Sequence, residues 1–269
     1  MIRRVTAFAG LLLALPSLAS AGLIAGDLIA GQAYAVDAST GVATPLGSSF
    51  GFTGVTGLGY DSAAGVLYGL DRDTDQLLIV DPATGSATAV GPLGVDIVAA
   101  DVAFDSANGL LYMVDYRLAQ LFTIDPTTGA AALIGASVGA QGLAYDSVTN
   151  TLYASRDTFN DVTSGLYTID VATGAATFVG GFGQGVNDND LAFDPTANVL
   201  YLSGTFEANS LFTVNRATGA VATVGTLGDG VFGSGLAFVG GSAAVPEPSS
   251  LAMGTTAALM GLAVVRRRA

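Results

Sequence analysis

Leu191–Gly225 reads "LAFDPTANVLYLSGTFEANSLFTVNRATGAVATVG". Four short runs stand out in it: Leu191–Asp194, Val199–Ser203, Leu211–Asn215 and Ala220–Gly225. Each alternates apolar with polar residues or is rich in β-formers, and Asp, Pro, Asn, Gly and Ser separate them, so each predicts a strand. Connections this short join antiparallel neighbours, which predicts one four-stranded sheet, its strands called a to d in chain order.

The same sentence recurs along the chain. "VDASTGVATPLG", "VDPATGSATAVG", "IDPTTGAAALIG", "IDVATGAATFVG" and "VNRATGAVATVG" end at Gly47, Gly91, Gly135, Gly180 and Gly225, at spacings of 44, 44, 45 and 45 residues. A period of this length with four strands per unit is that of a propeller blade. Strand a occurs near Leu58, Val102, Leu143, Leu191 and Leu236. The first copy, Leu28 to Gly47, begins only with strand b. The leftover Gly235 to Gly240, "GLAFVG", supplies its missing first strand. The fold predicted is all-β: a five-bladed β-propeller of four-stranded blades with a three-plus-one closure that leaves no open sheet edge. An open β-solenoid would not explain why the two partial units add up to one whole.

Many conspicuous residues serve this architecture. Asp81, Asp125 and Asp170 with Gly85, Gly129 and Gly174 belong to c-to-d turns, where Asp bonds turn amides and Gly takes the left-handed conformation. Asp61, Asp105, Asp146 and Asp194 end strand a in the same manner. Tyr68, Tyr112, Tyr153 and Tyr201 recur once per blade in strand b and predict packing between blades.

Composition narrows the chemistry. The chain has no His, Cys or Lys, which removes Ser-His-Asp and Cys-His nucleophiles, disulfides, His- or thiolate-ligated metals and Schiff bases. Carboxylates, Tyr, Ser, Thr and oxygen-ligated metals remain. Between residues 22 and 243 only Arg72, Arg117, Arg156 and Arg216 oppose 21 acids, a net charge near −17. Such a surface repels nucleic acid and anionic lipid.

The ends read as addresses. Residues 1–21 place Arg3 and Arg4 before an apolar run from Val5 to Leu15, then Pro16 and the small Ala19 and Ala21, the layout of a secretory signal peptide cleaved after Ala21. Residues 244–269 hold Pro246, Glu247 and Pro248, an uncharged stretch from 249 to 265, and Arg266, Arg267 and Arg268. As a helix that stretch spans about 26 Å, marginal against a hydrocarbon core of about 30 Å, and the arginines would keep its end cytoplasmic.

This tail resembles the PEP-CTERM sorting signal of bacterial exported proteins. The resemblance implies a C-terminal transmembrane helix processed by an exosortase, and export through the inner membrane to the envelope or beyond. A plain membrane anchor is the alternative, and it too puts the body outside. The body resembles YVTN/quinoprotein-like β-propeller repeats.

Candidate sites fall where the repeat breaks its pattern, in the b-to-c and d-to-a loops that share one face of a propeller. Asp71, Asp73 and Asp75 alternate like the start of a calcium loop, without the Gly and distal Glu of an EF-hand. "GQGVNDND" would place Asn187, Asp188, Asn189 and Asp190 in a loop at the channel mouth. Calcium held by Asp71, Asp73 and Asp75, or by Asn187, Asp188 and Asp190, is the cofactor expectation. Arg72, Arg117 and Arg156 either form an anion cradle or pair locally with Asp. No motif marks catalysis, so a non-catalytic binding module for a polysaccharide or surface protein is the leading expectation. A calcium-dependent propeller hydrolase, lactonase or carboxylate glycosidase, is the alternative.

Overall fold

A computed structural model describes residues 22–240 apart from 158–163, 184–185, 206–208, 229–230 and 232. The expected secretory segment and the sorting tail with Pro246, Glu247, Pro248, Arg266, Arg267 and Arg268 lie outside the described residues.

The described residues form five antiparallel four-stranded sheets. Blade I comprises β20 (Gly233–Val239), β1 (Gly22–Asp27), β2 (Gln32–Val36) and β3 (Ala43–Ser49). Blade II follows with β4 (Val55–Asp61), β5 (Val66–Asp71), β6 (Gln76–Val80) and β7 (Ala87–Pro92), and blade III with β8 (Ala100–Asp105), β9 (Leu110–Asp115), β10 (Gln120–Ile124) and β11 (Ala131–Ala136). Blade IV is β12 (Gly142–Asp146), β13 (Thr151–Arg156), β14 (Gly165–Ile169) and β15 (Ala176–Gly180). Blade V is β16 (Asn187–Asp194), β17 (Val199–Thr205), β18 (Asn209–Val214) and β19 (Val221–Thr226). The first strands β4, β8, β12, β16 and β20 touch one another in a closed circuit around the channel. The molecule is therefore a five-bladed propeller.

The three-plus-one closure is present: β20 pairs antiparallel with β1, with Leu23 opposite Phe238 and Ala25 opposite Leu236. One boundary differs from expectation. Strand b of blade I is Gly22–Asp27, ahead of Leu28, and Leu28–Gly31 belong to the turn that follows it. That strand lacks the Leu-Tyr signature of the other copies because Ile24 fills the tyrosine's place against blade II.

The core is five clusters, one at each contact between blades, and the same pattern builds each. Val102, Leu143, Leu191, Leu236 and Leu58 point from the inner strands toward the preceding blade, while the small residues Ala103, Ala144, Ala192 and Ala237 point toward the following one. Tyr68, Tyr112, Tyr153 and Tyr201 fill four of these contacts, as their once-per-blade recurrence predicts. Tyr68 stacks on Phe104 at 5.7 Å and Tyr112 on Tyr145 at 6.5 Å, each across a blade boundary. Burial of a single large apolar side chain here contributes about 1.5–3 kcal/mol.

The period itself has a steric cause. A methyl group on Gly47, Gly91, Gly135, Gly180 or Gly225 would overlap the carbonyl of Thr84, Thr128, Thr173, Thr218 or Thr40, in that order. Strand d of every blade thus runs against the c-to-d turn of the next, blade V against blade I included. The turns are built as expected: Asp81 Oδ1 accepts from Ala83 N at 2.8 Å, and Gly85, at φ 75°, donates its N–H to the Asp81 carbonyl at 2.7 Å. Backbone bonds reinforce the contacts, from Ala87 N to Phe50 O at 2.9 Å and, across the closure, from Ala43 N to Leu227 O at 3.1 Å.

On the face bearing the a-to-b and c-to-d turns, Arg216 forms an ion pair with the buried Asp146 of blade IV. Its guanidinium lies over the ring of Phe193, in its own blade, at 5.2 Å, so stacking within blade V positions the charge that holds blade IV.

Candidate binding site at the channel mouth

Along each inner strand the residue four places before the strand's end is Gly57, Asp101, Gly142, Asp190 or Gly235. This level of the ring is crowded. A Cβ on Gly57 would lie 2.6 Å from Asp101 Cα, and one on Gly142 would lie 2.8 Å from Asp190 Cα. The three glycines make room for two side chains, and both are carboxyls.

Asp101 is fully buried and Asp190 is 2% exposed. Asp101 Oδ1 accepts from Val102 N at 2.7 Å and its Oδ2 from Leu143 N at 2.5 Å, while Asp190 Oδ1 accepts from Leu191 N at 3.0 Å. The two carboxyls are hydrogen-bonded to each other. Burial, then the neighbouring Asp190 charge, pushes Asp101 well above the usual carboxylate range. Burial pushes Asp190 up to about 7. The pair therefore shares a proton at neutral pH.

Above the pair opens a cavity of about 200 Å³ lined by Thr56, Gln141, Asn189, Asp190, Asn209 and Ser234, with Arg72, Leu28, Ile29, Ala99 and Gly233 around it. Its polar groups are positioned from several blades. Thr56 Oγ1 donates to Ala100 O at 3.0 Å, Ser234 Oγ to Val55 O at 3.3 Å, and Gln141 Oε1 accepts from Asp157 N at 2.9 Å. Asn189 Nδ2 donates to Val186 O at 3.3 Å, but its Oδ1 is buried without a partner. Ile29 is 74% exposed at the rim and offers an apolar surface beside these groups.

The expected loop "NDND" is strand. β16 begins at Asn187, four residues earlier than its apolar run, and the register with β17 shifts between Asn187 and Asp190. That bulge turns Asn189 and Asp190 inward, which is what bulges do beside sites. Asn187 is half-buried, and the side chain of Asp188 lies outside the described residues.

Asp71, Asp73 and Asp75 are each engaged in holding loops. Asp71 is buried and accepts from Thr74 Oγ1 at 2.5 Å, Asp73 accepts from Thr53 Oγ1 at 2.8 Å, and Asp75, at φ 53°, accepts from Ile97 N at 2.9 Å. Among the described residues no three carboxylates are grouped closely enough to hold a metal ion by themselves. The arginines are dispersed: Arg117 pairs with exposed Asp96 at 3.1 Å, Arg72 lines the mouth, and Arg156 ends β13.

Neither carboxyl of the pair is placed as in a glycosidase, where two carboxyls stand about 5–9.5 Å apart on either side of the scissile bond. Here they touch, and of the two only Asp190 lines the cavity. The arrangement suits recognition of a small polar group. Asp101 escapes notice in "ADVAFD" because strand starts are commonly polar. The usable signal is that two copies carry Asp where three carry Gly.

Fold and site together define a β-propeller with a small polar pocket at one mouth of its channel. No protein-family model and no curated protein matches the chain. Among solved structures, a chain of the crystal structure of a nidogen/laminin complex is similar at a TM-score of 0.56 and 15% identity, covering 81% of this chain and 82% of that one. A structural genomics protein of unknown function from Bacteroides thetaiotaomicron VPI-5482 is similar at a TM-score of 0.51 and 18% identity, covering 82% of this chain and 66% of that one. At these identities the likeness is one of fold.

Proposed function

We propose that the chain is an exported, non-catalytic binding propeller of the cell envelope or extracellular matrix. On this reading residues 1–21 direct export, and an exosortase recognises the tail at Pro246, Glu247, Pro248 and the terminal arginines. The channel mouth then binds a sugar residue of a polysaccharide or of a surface protein. The observation that carries the binding role is the cavity of about 200 Å³, in which hydrogen-bonding side chains from four blades converge beside an exposed Ile29. Pockets for drug-sized ligands start at about 300 Å³, so this one suits a single residue presented by a larger partner. The strong negative charge of the body disfavours acidic polysaccharides and selects neutral or amino sugars. A protein partner at the mouth accords with the nidogen/laminin likeness, which by itself speaks only to fold.

The test is binding of the purified chain to immobilised neutral, amino and acidic glycans. Binding to neutral or amino sugars that falls in Arg72→Ala and Gln141→Leu, and survives in Arg117→Ala, supports the reading. Binding to none of them, or loss in Arg117→Ala alone, overturns it.

A further inference from the structure

Beneath the mouth lies a group of oxygen atoms that the ring has no structural need for. Ser155 and Ser203 stand in strands b of blades IV and V where blades II and III carry the apolar Leu70 and Val114. Both serines are buried and neither hydroxyl has a hydrogen-bond partner. They flank Asp190: Ser203 is its cross-strand neighbour, and Gly142, whose Cβ would overlap Ser155 Oγ, abuts Asp190 Cα. Asn189, 2% exposed, lines the same cavity as Asp190 with its Oδ1 unpartnered. A buried polar atom without a partner costs about 1–3 kcal/mol, and three around one carboxyl pair call for an occupant that accepts oxygen lone pairs.

We propose that this cluster binds one calcium-sized divalent cation between Asp101 and Asp190, with Asn189 Oδ1 and the hydroxyls of Ser155 and Ser203 as further ligands. All the donors are carboxylate, amide or hydroxyl oxygens, the set that selects hard cations. Binding of the ion releases to solvent the proton that the pair shares, so that two carboxylates balance its charge, and the carbonyl and hydroxyls raise the oxygen number toward the six to eight that calcium takes. Magnesium, which demands tight octahedral geometry and keeps several waters, suits a crowded ring poorly. The site keeps Asp190 from the sequence expectation and exchanges Asn187 and Asp188 for Asn189 and Asp101. It does not depend on what the mouth above it binds.

The purified chain, freed of metal by chelator, is titrated calorimetrically with calcium chloride and with magnesium chloride at matched ionic strength. The expected result is one calcium ion per chain, with magnesium weaker by at least about tenfold. Asp190→Asn, which retains hydrogen bonding to Asp101, and Ser203→Ala, a milder change, should each weaken calcium by about tenfold or more, while Asp73→Asn leaves it unchanged. No calcium binding, equal binding of magnesium, or binding that survives in Asp190→Asn but is lost in Asp73→Asn would overturn the proposal.

Discussion

Gly225, the last glycine of the last repeat, lies with its backbone against the carbonyl of Thr40 in the c-to-d turn of blade I. The contact repeats, across the closure, the one that Gly91 makes with Thr128 between adjacent blades. Its steric demand gives a direct test. Gly225→Ala should destabilise the fold by about 1–3 kcal/mol, the cost of overpacking a fitted contact. Gly240→Ala, whose Cβ would meet only Phe238 ring carbons at 3.5 Å, should change the melting temperature little.

Removal of β20 tests the closure as a whole. A chain ending before Gly233 loses the strand that pairs with β1 and leaves Leu23 and Ala25 without their partners Phe238 and Leu236. The expected outcome is a lower melting temperature and self-association through the exposed β1 edge, read by size-exclusion chromatography. A monomer with unchanged melting would contradict the ring.

The carboxyl pair predicts an unusual pH profile. Asp190, at about 7 in the folded chain, sits above the unfolded carboxyl value near 4, so the fold retains a proton that the unfolded chain releases. Its stabilising contribution is whole below about pH 4 and is lost as pH rises through about 7. In chelator the chain should melt higher at pH 5 than at pH 8, and Asp190→Asn should flatten the difference. Asp37 and Asp125, held low chiefly by hydrogen bonds from Ser39 and Thr127 hydroxyls, act in the opposite direction only in more acid solution.

The ion pair between Arg216 and Asp146 is anchored on the buried partner, Asp146 being fully buried while the Arg216 side chain is 22% exposed. Arg216→Ala strands that carboxylate and removes the cation from Phe193. A loss of about 1–3 kcal/mol is expected by chemical denaturation, less than for a wholly buried pair because water reaches the arginine.

The sorting reading is tested in an exosortase-positive host. Replacing Pro246 and Pro248 by Ala leaves the uncharged stretch and the arginines intact, so membrane insertion should persist while processing fails. Unchanged mass and location of the mature product would favour a plain anchor.

What was legible in the sequence is what each repeat states locally. The four strands per unit, the turn aspartates, Tyr68 and its counterparts, and the closure by Gly235 to Gly240 all follow from patterns present in several copies. The position of β1, Gly22–Asp27 and so ahead of Leu28, is not legible because Ile24 replaces the diagnostic tyrosine. The carboxyl pair was illegible for a different reason: Asp101 and Asp190 belong to separate repeats and meet only when five inner strands are brought around one axis. Asp190 is conspicuous by its charge but reads as part of a loop, since a bulged strand start rich in Asn and Asp has the composition of a turn.

β20 starts at Gly233, on the lining of the mouth, and finishes at Val239 on the far side of the ring, opposite Gly22. The described residues therefore end, at Gly240, on the side facing away from the pocket. A pull between Gly240 and anything held at the mouth would run along the length of β20, loading its hydrogen bonds to β1 together instead of peeling them apart singly.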